Sequence, residues 1–372
     1  MLNPKALVLG TLFGRWRRAR PLGPGYSILM PMPMDMPFLL RFALEGIRRM
    51  ETPNCKQIVV IPDGFGEDGG EALKKVVCGF DDPRVELTEL RAGVHFFIHR
   101  MQKRRSNRTA ANWSHWAMIV EGASSSICEY AFLHDADAFF IDADGLERQY
   151  AECRDRKMVT LGVQYRLDAF FERIGYKIPG TWEMMFSVPW ARKRPPITLK
   201  GQWMDSPHGR HEFDTMLYPQ YLDYTDGTVG AMAEPPRLVH FHGAVTTYRV
   251  YRDRQGRSVG DDLFRLLLLS ILEELVPDQG GERILPPPET LAQGLTDPSA
   301  PVTYASPAAA REYPIFRREV DDLCQASTFA GERAARVAAY LRPFDKHFAA
   351  RPTDATACEE SLAVNPRRHG LS

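Results

Sequence analysis

The sequence carries no surplus of charge: Lys plus Arg and Asp plus Glu number 47 each in 372 residues. A balanced chain sets up no overall field that would draw it to nucleic acid, so a nucleic-acid partner is not expected. It also lacks an apolar run of the roughly 18 residues that a membrane-spanning helix needs. The nearest, LFRLLLLSILEELV at Leu263 to Val276, is interrupted by Arg265, Glu273 and Glu274 and reads as a core helix. The six cysteines are scattered with no CxxC pair, which argues against a disulfide framework or a zinc site and for a reducing, cytoplasmic setting. No GxxxxGK[ST] and no HExxH occurs, which disfavours a P-loop ATPase and a zinc hydrolase. There is no internal repeat and no low-complexity tract.

What is present is alternation. The stretch 1–24 holds Lys5, Arg15, Arg17, Arg18 and Arg20 and no acid, and reads as a flexible basic leader able to graze a membrane surface. From 25 onward, GYSILMPMP, CKQIVVIP, RVELTEL, EYAFLH and KMVTLGV read as strands, CKQIVVIP by a continuous β-branched run, and helical spacing fills the segments between them. Strands alternating with helices predict an α/β domain, Rossmann-like, with a mostly parallel sheet flanked by helices. Residues 164–230 lose this periodicity and are rich in Trp, Tyr, Pro, His and Met, which reads as a binding region rather than an extra core. RLVHFHG then returns to the sheet. A helical C-terminal extension follows over 258–350, and 351–372 has the composition of a disordered tail.

Two acids interrupt the apolar run YAFLHDADAFFI at Tyr130 to Ile141. An ionised carboxylate in such a run is costly unless a cation or several donors balance it. In an open α/β sheet ligands bind outside the carboxyl ends of the strands, and Asp63, Asp135 and Asp137 all follow predicted strands there. Asp-x-Asp in an extended segment points both side chains to one face, which suits oxygen ligation of Mg²⁺ or Mn²⁺; such ions take further ligands from phosphates. The expected guest is therefore a diphosphate. Of the second pair, Asp142 and Asp144 just downstream, one or the other reads as the cap of the helix GLERQYAECRDR. His240 and His242 in VHFHG share a strand face and can supply imidazole to the metal, with His242 ahead because Gly243 permits close approach.

YSILMPMPMDMPFLLRFALEGIRRM, QIVVIPDGFGEDGGEAL, NRTAANWSHW and YAFLHDADAFF, in that order, resemble the nucleotide-sugar-binding half of a GT-A glycosyltransferase of the family 2 type. The resemblance covers about residues 26–163 and continues weakly to about 252. It implies a catalytic domain over 25–257, with a donor half at 25–163 and an acceptor half at 164–257. It also implies a nucleotide-diphosphate sugar donor, a Mn²⁺ or Mg²⁺ cofactor held by the DxD motif, and transfer of a hexose with inversion to an acceptor hydroxyl. By the same resemblance Asp63 contacts the base, Asp135 the ribose or sugar, and Asp137 the metal. The acceptor is then a glycan, a lipid-linked molecule or a small molecule, the lipid-linked one being met at a membrane if the basic leader reaches it.

Inverting transfer needs a base for the acceptor proton, and an Asp or Glu among apolar neighbours suits this. Asp214 in HEFDTM leads, with Glu183 in TWEMMF and Glu212 as rivals; a surface ion pair is the plain alternative for each. Trp182, Trp190 and Trp203 can stack on sugar faces or serve as core. Arg249 and Arg252 can neutralise a leaving diphosphate. Two other readings stand beside the transferase. A sugar nucleotidyltransferase needs a Gly-rich basic loop where this chain has PMPMDMP. A catalytically silent module that binds glycans or scaffolds an assembly would have lost the acids and histidines present here.

Overall fold

The computed structural model describes residues 4–63, 69–88, 94, 107–253, 263–276, 285–300 and 302–349. The expected tail at 351–372, most of the basic stretch His99 to Arg108 and the expected boundary near 257 lie outside the described residues. The strands in chain order are β1 (Gly23–Met32), β2 (Cys55–Pro62), β3 (Val85–Leu87), β4 (Cys128–Leu133), β5 (Ala138–Phe140), β6 (Thr160–Gly162), β7 (Met184–Ser187), β8 (Gln202–Ser206), β9 (Gly209–Phe213), β10 (Val229–Ala231) and β11 (Leu238–His240). The described residues group into two compact units. The first takes in the described parts of Met1–Leu40, Met50–Ala136 and Ala143–Pro236; the second, Arg41–Arg49, Asp137–Asp142 and Arg237–Ser372.

In the first unit seven strands form one sheet in the order β10-β6-β7-β4-β1-β2-β3. Neighbours run parallel except at β7, which is antiparallel to both β4 and β6. The expectation of a mostly parallel, helix-flanked α/β sheet is met. Tyr26 to Met30 of β1 and Ile58 to Ile61 of β2 are buried throughout, as strands covered on both faces must be. The helix Asn107–Ser125 lies over one face with Trp116, Ile119, Val120 and Ala123 buried. It approaches so closely at Gly122 that an added Cβ would sit 2.6 Å from Ile61 Cδ1.

Three expectations are corrected. Pro4–Arg17 is a helix and not a flexible leader: Val8, Leu12 and Trp16 are buried in the same cluster as Trp116 and Ile119, and Arg15 pairs with the buried Glu121. Apolar residues at i, i+4 and i+8 form one stripe, and that stripe faces the core instead of a membrane. The irregular insert does build a core of its own, because Phe170, Phe171, Ile178, Phe213, Leu217, Tyr221 and Val229 pack together under the β8–β9 hairpin. It also supplies β7, a strand placed inside the main sheet.

RLVHFHG, finally, does not rejoin that sheet. In the second unit β11 pairs antiparallel with β5 in a separate two-stranded ribbon, Leu238 opposite Phe140 and His240 opposite Ala138. Phe139 packs edge-on against Phe241 and Phe329. The helices Leu263–Glu274, Pro307–Gln325 and Glu332–Ala349 meet through Phe264, Phe316, Tyr313 and Phe348, so the expected helical C-terminal region is present. No helix among the described residues is long and apolar enough to cross a membrane.

Candidate metal centre

Parallel pairing delivers the last residues of β1, β2 and β4 to one edge of the sheet, and the polar residues that follow begin there. Asp63 comes directly after β2. Its N–H donates to Met32 O (2.9 Å), its Oδ1 accepts from Met34 N–H (3.3 Å), and its carbonyl accepts from Ser114 Oγ (3.1 Å). The carboxylate thus ties the end of β2 to the loop after β1. His134 and Asp135 come directly after β4, with His134 N–H donating to Leu29 O (3.0 Å). Because β7 runs the other way, its first residue, Met184, sits opposite Leu133, and Glu183 lies at the same edge.

Asp137 closes the turn into β5. The β5–β11 register sets His240 beside it: Phe241 N–H donates to Asp137 O (3.0 Å), and His240 Nε2 lies 3.3 Å from Asp137 Oδ1. Both side chains are nearly enclosed, Asp137 being 11% and His240 6% exposed. Asp135 precedes Asp137 by two residues in the same short segment. One ligand atom from each of Asp135, Asp137 and His240 falls within a 4.8 Å span.

Two carboxylate oxygens and an imidazole nitrogen make a hard donor set with one borderline member, which fits Mn²⁺ or Mg²⁺ and suits Mn²⁺ better. His242 lies outside this group. β11 ends at His240 and the chain turns at Gly243 with φ +79°, so the same-face rule expected for the two histidines stops one residue short. The exposed His242 ring instead lies against His240, with centroids 3.7 Å apart. Arg249 is half-buried on the helix Ala244–Asp253, which starts directly after that turn.

The two base candidates have very different surroundings. Glu183 is fully buried at φ +50°, and its oxygens face His134 Nδ1 (3.0 Å to each) and accept from Asp135 N–H (2.9 Å). A carboxylate so engaged is not open to an acceptor hydroxyl. Asp214 is one-third exposed, with Arg166 Nη1 3.3 Å from its Oδ2 and Thr215 N–H donating to its Oδ1 (2.7 Å). Arg166 also approaches Asp168, and Asp168 approaches His211 Nε2 at 3.5 Å. Burial holds the His211 pKa below its ordinary value, against the pull of Asp168.

Asp144 occupies the N-cap position of Gly145–Asp155 but makes no side-chain cap bond, pairing with Arg148 instead, while Asp142 binds the N–H and guanidinium of Arg237. Neither supplies the side-chain cap expected from one of the pair. Trp190 is core, donating to Asp223, whereas Trp203 on β8 is 57% exposed. Sequence reasoning missed His134 and Arg166. His134 had a signal in its place directly before the DxD; nothing about Arg166 marked it.

No protein-family model matches the chain, and no curated protein matches it. Solved structures similar to it include the following three. One is a mannosyltransferase from Pyrobaculum calidifontis in complex with GDP-mannose and Mn²⁺: 15% identity, 97% of this chain and 89% of that one, TM-score 0.35. Another is the glucosyl-3-phosphoglycerate synthase of Mycobacterium tuberculosis with Mn²⁺, UDP and glucosyl-3-phosphoglycerate: 10% identity, 70% and 83%, TM-score 0.37. The third is the galactosyltransferase LgtC with donor and acceptor sugar analogs: 12% identity, 83% and 99%, TM-score 0.38. Likenesses this remote carry no argument, so the site stands on its own geometry. That geometry is a carboxylate–carboxylate–imidazole group whose first acid directly follows β4, with a donor set that fits Mn²⁺ or Mg²⁺.

Proposed function

We propose that this protein is a metal-dependent glycosyltransferase with a GT-A-type domain, moving a sugar from a nucleotide-diphosphate sugar to an acceptor hydroxyl. The observation that carries this is the convergence of Asp135, Asp137 and His240 within 4.8 Å directly after a strand of an open α/β sheet. The metal that Asp137, His240 and Asp135 would hold supplies positive charge to the leaving diphosphate. Asp63 receives the base at the neighbouring strand end, Asp135 orients the ribose or sugar, and Arg249 adds charge for the diphosphate. Asp214 takes the acceptor proton in an inverting transfer, and Arg166 fixes the orientation of its carboxylate. Glu183 is assigned no proton. The enzyme belongs to a reducing, cytoplasmic setting: Cys55, Cys128 and Cys153 are buried free thiols, and burial pushes Cys55 up to about 12.

The test is thermal unfolding with a panel of nucleoside diphosphates, with and without Mn²⁺, beside Asp137→Ala. A nucleotide at a hundred times its dissociation constant is expected to add roughly 2.7 kcal/mol to the wild type when Mn²⁺ is present. It should add nothing to the variant. If no nucleotide shifts the wild-type transition at any Mn²⁺ concentration, the reading is wrong.

A further inference from the structure

Glu183 is a carboxylate with no place in the proton transfer, yet it is the most completely enclosed acid near the site. It is 0% exposed, and its main chain is held in the left-handed region at φ +50°. Only two other non-glycine residues among those described have positive φ, Lys157 and Met216. A buried side chain on a strained backbone persists only where its surroundings over-determine it, and such positions cluster where geometry matters to function. The surroundings here are specific. Gln149, itself fully buried, donates from Nε2 to Glu183 O (3.0 Å) and to Leu161 O (2.7 Å), so the backbone is clamped from behind. β7 carries Glu183 to the end of β4, where the side chain meets two successive residues: the ring of His134 and the N–H of Asp135.

We infer that Glu183 is the positioning residue of the metal site: by holding His134 and the Asp135 N–H together, it sets the direction in which the Asp135 carboxylate leaves the strand. This inference rests on the proposed metal-binding reading and assigns to Glu183 a role in it that is neither ligation nor catalysis. Oε1 accepts from Asp135 N–H and lies 3.0 Å from His134 Nδ1, and Oε2 lies 3.0 Å from the same ring nitrogen, so replacing either oxygen by an amide –NH2 removes the charge and turns a donor toward a donor. Partners of this kind, one shell out from a metal, are worth roughly 10- to 100-fold in metal affinity.

The experiment titrates Mn²⁺ into the purified full chain and reads free Mn²⁺ by electron paramagnetic resonance, which needs neither donor nor acceptor. Glu183→Gln keeps the volume and one acceptor oxygen, and it is expected to weaken Mn²⁺ binding about 10-fold or more while unfolding cooperatively. Gln149→Leu removes the clamp without touching the carboxylate, and it is expected to lower the melting temperature with Mn²⁺ affinity within about twofold of wild type. That contrast separates positioning from stability alone. If Glu183→Gln does not fold, Glu183→Asp, which keeps the charge but withdraws it by one methylene, is read in the same way. Wild-type affinity in a folded Glu183 variant overturns this inference and leaves the metal site standing. Absence of Mn²⁺ binding by the wild type overturns both.

Discussion

A buried carboxylate in an apolar run has to be explained by what surrounds it, and the three acids near the DxD find different answers. Asp137 gains the imidazole of His240, Asp135 gives its N–H to Glu183, and Glu183 takes two donors at once. Among them the conspicuous sequence feature was Asp135-x-Asp137, because two acids between aromatic residues are costly without a partner. Asp214 is different again: partly exposed and set against Arg166, it has the freedom to meet a substrate that Glu183 lacks. Asp214→Asn is expected to lower kcat by roughly 100- to 10,000-fold while Mn²⁺ affinity and KM for the donor stay near wild type. Steady-state kinetics with a donor found in the nucleotide panel measures this, and a kcat within threefold of wild type removes Asp214 as the base. On the sequence Asp214 leads Glu183, yet both are acids among apolar neighbours, and no single residue shows which of them is enclosed. Which of them is enclosed depends on a strand pairing that joins residues far apart in sequence.

Elements with long, regular apolar patterns were legible, and short or locally irregular ones were not. β1 and β4 read directly from their apolar runs, β2 from its β-branched run, and Pro37–Arg49 from its helical spacing and the terminal Arg48 and Arg49. Pro4–Arg17 was not: its net basic charge concealed a stripe of Val8, Leu12 and Trp16, and only the presence of Trp116 and Ile119 decides whether such a stripe meets protein or solvent. Leu12, 1% exposed, tests that packing. Leu12→Ala is expected to destabilise the first unit by about 2–5 kcal/mol, read as a lower urea midpoint, whereas a freely moving leader would give no change. Met184–Ser187 escaped notice because four residues show no periodicity, and its direction in the sheet follows from the path of the chain before it. The basic run ARKR at Ala191 to Arg194 is another sequence feature whose use only the fold shows. Arg192 donates to the carbonyls of Ala123, Ser124 and Ser126 at the end of the helix Asn107–Ser125, replacing partners that a helix terminus lacks.

At the scale of the whole molecule, balanced charge leaves stability to local ion pairs, and the Glu45 pair in the second unit gives a pH signature. Burial alone would raise the Glu45 pKa, but hydrogen bonds from Arg333 and Arg41 outweigh it and hold the carboxyl below its ordinary 4.5. A depressed carboxylate contributes stability above its unfolded-state pKa and loses it as the pH falls through the folded value. Arg333→Ala is therefore expected to cost about 1–3 kcal/mol near pH 7, with the deficit shrinking below about pH 4.5. Urea unfolding across that range checks it, and a deficit independent of pH excludes the ion pair as its source. Composition and patterning by themselves determined the α/β class, the mostly parallel sheet, the edge at which Asp63, Asp135 and Asp137 gather, and the metal-type chemistry of the Asp-x-Asp, because hydrophobic period and the cost of buried charge are local properties. Only the tertiary structure decided that His240 and not His242 joins the acids, that Glu183 is enclosed against His134 and Asp135, and that the insert builds a core. Each of these depends on strand register and close packing between residues distant in the chain, and no local pattern encodes where such partners meet.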